Sequence, residues 1–252
     1  MDDRHEKLGF KQVIRLEWMD KTVQMLLAGM TAAEIRRELD HYLSTQKQSG
    51  GEGERGKTAY KMAISLLSSW FDPDVVLHPL RDSALLIARQ TPADHWLPLH
   101  WAVLSASYPF WLNTALQVGR LLNLQDQVRQ AQIFNRLKEQ YGDRETVARN
   151  ARYAVRSLVA WGVLVDSNAK GCYEKRLNLE ILDVPMTMIL LEATLFTMPE
   201  GKAPLKVLRN FPAFFPFCLT ALNGDIISQQ STRIDVMRYG LDDEILKLSN
   251  LS

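Results

Sequence analysis

Apolar residues recur at three- and four-residue spacing along most of the chain, which predicts a mainly α-helical protein. Leu16, Met19, Val23, Leu26 and Leu27 share one face, and Gly29 stands where a helix ends. Thr31 and Glu34 form a capping-box pair that opens a second helix carrying Ile35, Leu39 and Leu43. The turn between the two, Ala28 to Met30, has helix-turn-helix length. A polar, glycine-rich loop from Ser44 to Gly56 precedes a third helix, with Ala59, Met62, Ala63, Leu66, Leu67 and Trp70 on one stripe and Pro73 ending it. From Asp74 to Leu104 the pattern stays helical, with Pro79, Pro92 and Pro98 suited to first turns.

The middle of the chain predicts more than helices. Pro109 to Leu124 reads as a first helix packing Leu112, Leu116, Gly119 and Leu122, and Val128 to Tyr141 as a second, packing Ile133, Phe134 and Leu137. Asp143 is placed to cap a third, Arg144 to Trp161. At roughly 100° per residue, Val147, Ala151, Ala154, Val155 and Leu158 fall on one side of it and Arg149, Arg152 and Arg156 on the other. Alternation at Trp161, Val163 and Val165, turn residues from Asp166 to Gly171, and alternation at Leu177, Leu179 and Ile181 then predict a β-hairpin. Three helices followed by a hairpin define a winged helix-turn-helix between about Tyr108 and Ile181.

In the last third, Pro185 to Phe196 reads as a buried helix, Leu205 to Leu208 as a helical turn, and Phe211 to Leu222 as aromatic core. Ile226-Ile227 and Ile234 to Tyr239 suggest a small sheet, and Asp242 to Leu248 a terminal helix, forming either a second winged unit or a cap. The expected division is residues 1–72, a helix-turn-helix-like unit; 73–107, linking helices; 108–182, the winged unit; and 183–252, the helical and small-sheet cap.

Charge adds a distribution. Lys and Arg number 30 against 29 Asp and Glu, so net charge alone names no partner. Arg129 to Arg156, however, holds seven basic residues against three acids. An amphipathic helix with a basic face can bury one side in a trihelical core and present guanidinium forks to phosphate or guanine with the other. The candidate contacts to double-stranded DNA are therefore Arg144, Arg149, Arg152 and Arg156, with Lys170, Lys175 and Arg176 from the wing. Cys172 and Cys218, far apart and without a C-x-x-C, suggest neither a disulfide framework nor a zinc ribbon, which fits a reducing cytoplasm. No apolar stretch reaches the ~20 residues of a membrane span, so no membrane partner is expected. His95 and His100, five apart across a proline, lack metal-ligand spacing. No neighbouring motifs assemble a catalytic constellation, and neither an enzymatic activity nor a cofactor is expected.

Gly51 to Thr58 matches the phosphate-binding pattern G-x-x-x-x-G-K-[S/T]. Its context argues against that chemistry: a phosphate loop follows a buried strand, whereas this one follows the polar end of a helix, and Glu52 and Glu54 would crowd the phosphates. Arg55, Lys57 and Lys61 are instead candidate phosphate contacts of a nucleic acid.

The order of these units, with L-L-A-G-M-T-A-A-E-I (Leu26 to Ile35), the basic helix Lys57 to Trp70, the run Leu158-Val159-Ala160-Trp161-Gly162-Val163-Leu164 and the closing segment Ile234 to Leu248, resembles the BrxA family of bacteriophage-exclusion (BREX) defence systems. The resemblance implies a non-enzymatic, DNA-binding accessory protein encoded in a bacterial phage-defence locus. Three functions stand open at this point: duplex DNA binding, a protein–protein scaffold within a defence complex, and nucleotide binding through Gly51 to Thr58.

Overall fold

Local chemistry sets the helix ends. The computed structural model describes residues 8–46, 57–181, 183–239 and 243–249. Helix α1 (Leu16–Leu27) stops where Gly29 takes a left-handed φ of 81°. Helix α2 (Ala32–Ser44) starts with the reciprocal cap expected of it: Glu34 N donates to Thr31 Oγ1 at 3.3 Å and Thr31 N to Glu34 Oε2 at 2.8 Å. Helices α3 (Lys57–Phe71), α4 (His78–Gln90) and α5 (Leu97–Ser107) follow, with 3-10 turns at Val75–Leu77 and Ala93–His95. Helix α5 is buried on every side from Leu97 to Ala106, as its lack of a polar face requires.

The middle unit runs α6 (Pro109–Leu122), β1 (Gln127–Arg129), α7 (Gln130–Tyr141), α8 (Glu145–Ala160), β2 (Leu164–Asp166) and β3 (Cys172–Lys175). Its antiparallel sheet has the order β1-β3-β2, so the first strand lies beside the last. Sequence reading extends α7 back to Val128 and leaves no room for β1; a three-residue strand carries too little alternation to show. The hairpin differs as well. Its second strand is Cys172–Lys175, not Leu177 to Ile181, because Ser167 N donates to Cys172 O at 2.9 Å and closes a short turn. Leu179–Ile181 (β4) instead pairs in parallel with Phe217–Leu219 (β6).

The C-terminal unit repeats the middle one. Helix α9 (Val184–Leu195) is followed by β5 (Lys202–Pro204), α10 (Leu205–Arg209), α11 (Gly224–Gln230), β7 (Ile234–Tyr239) and β8 (Asp243–Leu248), and the sheet order is β5-β8-β7. The first three elements begin 75 residues after their counterparts: Val184 after Pro109, Lys202 after Gln127, Leu205 after Gln130. Between α10 and α11 lie a 3-10 turn (Pro212–Phe214) and β6. Two expectations are corrected here. Ile226-Ile227 lies in a helix, because Asn223 Oδ1 accepts from Ile226 N at 2.9 Å and caps it. Asp243–Leu248 is a strand, because Leu246 and Leu248, two apart, are the positions that bury.

Aromatic rings join the layers. Trp101 of α5 meets Trp111 of α6 edge-on at 4.6 Å between centroids, Trp111 lies 5.4 Å from Trp161, and Phe217 of β6 reaches Trp101 at 5.1 Å. Gly119 on α6 admits the Pro212–Phe214 turn so closely that a Cβ there would stand 1.8 Å from the Pro212 carbonyl oxygen. A bidentate pair inside the C-terminal unit also reaches the N-terminal helices, through Ser83. Arg233 Nε and a terminal guanidinium nitrogen donate to the buried Glu192 carboxylate at 2.7 and 2.8 Å, and that nitrogen also reaches Ser83 Oγ of α4 at 3.0 Å. Among the described residues no helix is long and apolar enough to cross a membrane.

Candidate nucleic-acid interface

Helix α8 is held from three sides, and the fourth is left to solvent. Val147, Ala151, Ala154, Val155 and Leu158 are buried against α6 and α7. The segment before α1 crosses its C-terminal half: Ile14 N donates to Ser157 Oγ at 2.9 Å, and Trp161 Nε1 donates to the Ile14 carbonyl at 3.1 Å. The hairpin abuts it through Asp166 and Tyr173. Glu145, Arg149 and Arg152 are exposed on the remaining face.

The three stripe arginines are not equivalent. Arg156 donates to both oxygens of Asp166 on β2, at 2.6 and 2.8 Å, and is therefore neutralised by its own fold. Partial burial alone would lower its pKa; the Asp166 carboxylate overrides this and leaves it raised. Asp166, expected only as a turn residue, is thus a counter-ion for Arg156, whose side chain stays 42% exposed, while no ion pair is formed by Arg149 or Arg152 among the described residues. Arg152 lies 5.9 Å over the Phe134 ring of α7, so its stem packs while its head remains exposed. Arg149 is exposed and has no ion-pair partner among the described residues.

Around this face the remaining candidates separate. Lys170 sits in the exposed hairpin turn. Lys175 and Arg176 lie at the opposite end of the hairpin, Lys175 about 10 Å along β3 from Cys172 at about 3.3 Å per residue. There Lys175 Nζ donates to Asn178 Oδ1 at 3.1 Å, and Arg176 N to the Val163 carbonyl at 3.0 Å. They belong to the hairpin's base rather than to its tip, a consequence of the shifted second strand. Arg144 is the residue before α8, where Asp143 was expected to cap; Asp143 instead pairs with Lys138 Nζ at 2.6 Å, and Arg144 donates to the Tyr141 carbonyl at 2.9 Å.

One cation absent from the candidate set belongs beside Lys170. Arg129, exposed on β1, stands opposite Cys172, and the next residue, Gln130, donates its N–H to the Gly171 carbonyl at 2.8 Å. The unit's local charge includes Arg129, yet without β1 nothing in the sequence ties it to the turn. Tyr173 links the elements: its hydroxyl donates to Gln130 Oε1 at 3.0 Å, and burial pushes its pKa up, against the pull of Arg156.

The N-terminal cations lie elsewhere. Lys61 is exposed on α3, a helix that packs on α1, α2 and α5. Gly51 to Gly56, with Arg55, lie outside the described residues, as does the Lys57 side chain. Thr58 is in the first turn of α3, and the element before the loop is α2, a helix rather than the strand a phosphate loop requires. His100 is fully buried with both ring nitrogens engaged. Trp70 Nε1 donates to Nδ1 at 3.1 Å, which places the proton on Nε2, and this donates to Asp20 Oδ1 at 2.9 Å. Burial lowers its pKa, partly opposed by Asp20, so the ring is a neutral structural group.

No protein-family model, no curated protein and no solved structure matches the chain.

Proposed function

We propose that Pro109 to Lys175 is a winged helix-turn-helix that holds double-stranded DNA, with α8 toward the groove and the β2–β3 hairpin as its wing. The observation that carries this reading is the exposed face of α8, where Arg149 and Arg152 stand clear of ion pairs among the described residues beside a hairpin that offers Lys170. The element order, with β1 beside β3, is the one such a unit needs. Arg149 supplies a fork for a phosphate or a guanine edge, Arg152 a second fork steadied by Phe134, and Lys170 and Arg129 point charges for the flanking backbone. The unit holds eleven Lys or Arg against six Asp or Glu from Pro109 to Arg176. Fluorescence anisotropy with duplex DNA over a salt series tests this. Four phosphate contacts give a log–log slope near −3.6, at about −0.9 each. The Arg149→Ala/Arg152→Ala/Lys170→Ala variant loses about three-quarters of that slope; an unchanged slope would refute the assignment.

A second reading, contact with a protein, is favoured for the C-terminal unit. From Val184 to Ser249 it holds six Lys or Arg against seven Asp or Glu, α11 carries no cation, and Arg238 is taken by Asp225 and Glu244. Val207 and Tyr239 are exposed at 50% and 58%. The resemblance to the BrxA family supports joining the two readings in an accessory protein of a phage-exclusion system, which holds DNA with one unit and a defence partner with the other. Co-purification with a product of a neighbouring gene, lost when Val207 and Tyr239 are replaced by Ser, tests the second.

A further inference from the structure

The C-terminal unit contains a cavity of about 240 Å³ between α9, α10 and the chain that follows β6. At about 30 Å³ per water, this is the space of roughly eight waters, or of a ligand of about eight non-hydrogen atoms. Its walls are of two kinds. Leu191, Leu219 and Leu222 form an apolar surface, while Arg209 and Asn210 bring polar groups, and no acidic residue is among those lining it. Arg209 is exposed and uses one guanidinium nitrogen on the Leu222 carbonyl, which leaves further donors on a fork held at the cavity.

Thr187 supplies an independent observation. It lines the cavity, is 1% exposed, and its hydroxyl has no hydrogen-bond partner among the described residues. An unpaired buried hydroxyl is costly, and a helical threonine normally avoids the cost by donating to the carbonyl four residues back. Thr194, on the same helix, does so at 2.9 Å to Leu190. A third hydroxyl, on Thr220, donates to the Ile181 carbonyl at 2.6 Å, so the free donor is the one on α9.

We propose that this cavity binds a small aliphatic monocarboxylate. Its oxygens accept from the Arg209 guanidinium and the Thr187 hydroxyl, and its chain covers Leu191, Leu219 and Leu222. The wall chemistry selects for charge and for length: a neutral alcohol forgoes the guanidinium, an amine is repelled by it, and a short acid leaves the leucines uncovered.

Hexanoate, hexan-1-ol and hexylamine titrated into the full chain test this, followed by amide NMR shifts and by melting temperature. Hexanoate is expected to shift Thr187, Arg209 and Leu219 saturably and to raise the melting temperature, while the alcohol and the amine bind at least about tenfold more weakly. Arg209→Gln, at an exposed position, weakens hexanoate by about tenfold or more. Thr187→Val weakens it too and stabilises the ligand-free protein. No saturable shift with hexanoate, equal binding of hexan-1-ol, or undiminished hexanoate binding by Arg209→Gln would each overturn the proposal.

Discussion

If the middle unit holds DNA as proposed, replacing Asp166 by Asn should strengthen that binding, although it removes an ion pair. In the folded chain Asp166 holds Arg156 through two hydrogen bonds, with side-chain exposures of 55% and 42%. A pair this open to water contributes about 0.2–1 kcal/mol, so stability falls by no more than about 1 kcal/mol. For a chain of this size that is at most about 4 °C in melting temperature. The substitution frees a guanidinium on the same stripe as Arg149 and Arg152 and removes a carboxylate from beside the proposed phosphate contacts. One further phosphate contact steepens the log–log salt slope by about 0.9, so a fourfold rise in salt costs about 3.5-fold more affinity than in the parent chain. The low-salt gain is that of one exposed ion pair, at most about 1 kcal/mol, or about fivefold in Kd. Anisotropy against a duplex at four or five salt concentrations measures both quantities, with thermal unfolding run alongside. An unchanged slope in a variant that remains folded would show that Arg156 lies off the path of the DNA.

Other expectations concern the scaffold. Arg233→Ala strands the buried Glu192 carboxylate; with Arg233 itself 38% exposed, the cost is discounted to about 2–3 kcal/mol, read by urea unfolding, and should partly recover when Glu192→Gln is added. A loss below about 1 kcal/mol would mean that the pair does not fasten the C-terminal unit. Gly119→Ala drives a Cβ into the Pro212 carbonyl and should cost about 3 kcal/mol or more, again by urea unfolding; a neutral effect would contradict the close approach. His100 has a folded pKa below its ordinary 6.5, so the proton is taken up preferentially by the unfolded chain. Its contribution is therefore complete above about pH 6.5 and declines below it, with a limiting slope of one proton. Urea midpoints from pH 5 to 8 should show this decline, and His100→Gln should flatten it.

The helices were legible because burial imposes a period and caps have names: Thr31 with Glu34, and Gly29, mark their boundaries in the letters themselves. The strands were not, for two reasons. β1 and β4 are three residues long, too short for alternation to rise above chance. Their partners are also distant: β4 pairs with β6 some 38 residues on, which nothing local announces. Leu177, Leu179 and Ile181 alternate convincingly, and the hairpin nevertheless closes earlier, through Cys172 and Tyr173. The arginine stripe can be read from helical spacing alone. That Arg156 is already occupied cannot, since Asp166 arrives from the next element. The repetition of the middle unit's topology by the C-terminal one leaves little trace in residue type, because one copy is basic and the other slightly acidic.

That difference between the two units can be read out directly by photo-cross-linking. A cross-linking side chain is placed in turn at Glu145, on the arginine face of α8, and at Ser228, exposed on α11, and each chain is irradiated with duplex DNA. Cross-links from position 145 that fade with rising salt, and none from position 228, are the expected result. Cross-linking from 228 with none from 145 would move the DNA to the wrong unit and contradict the assignment.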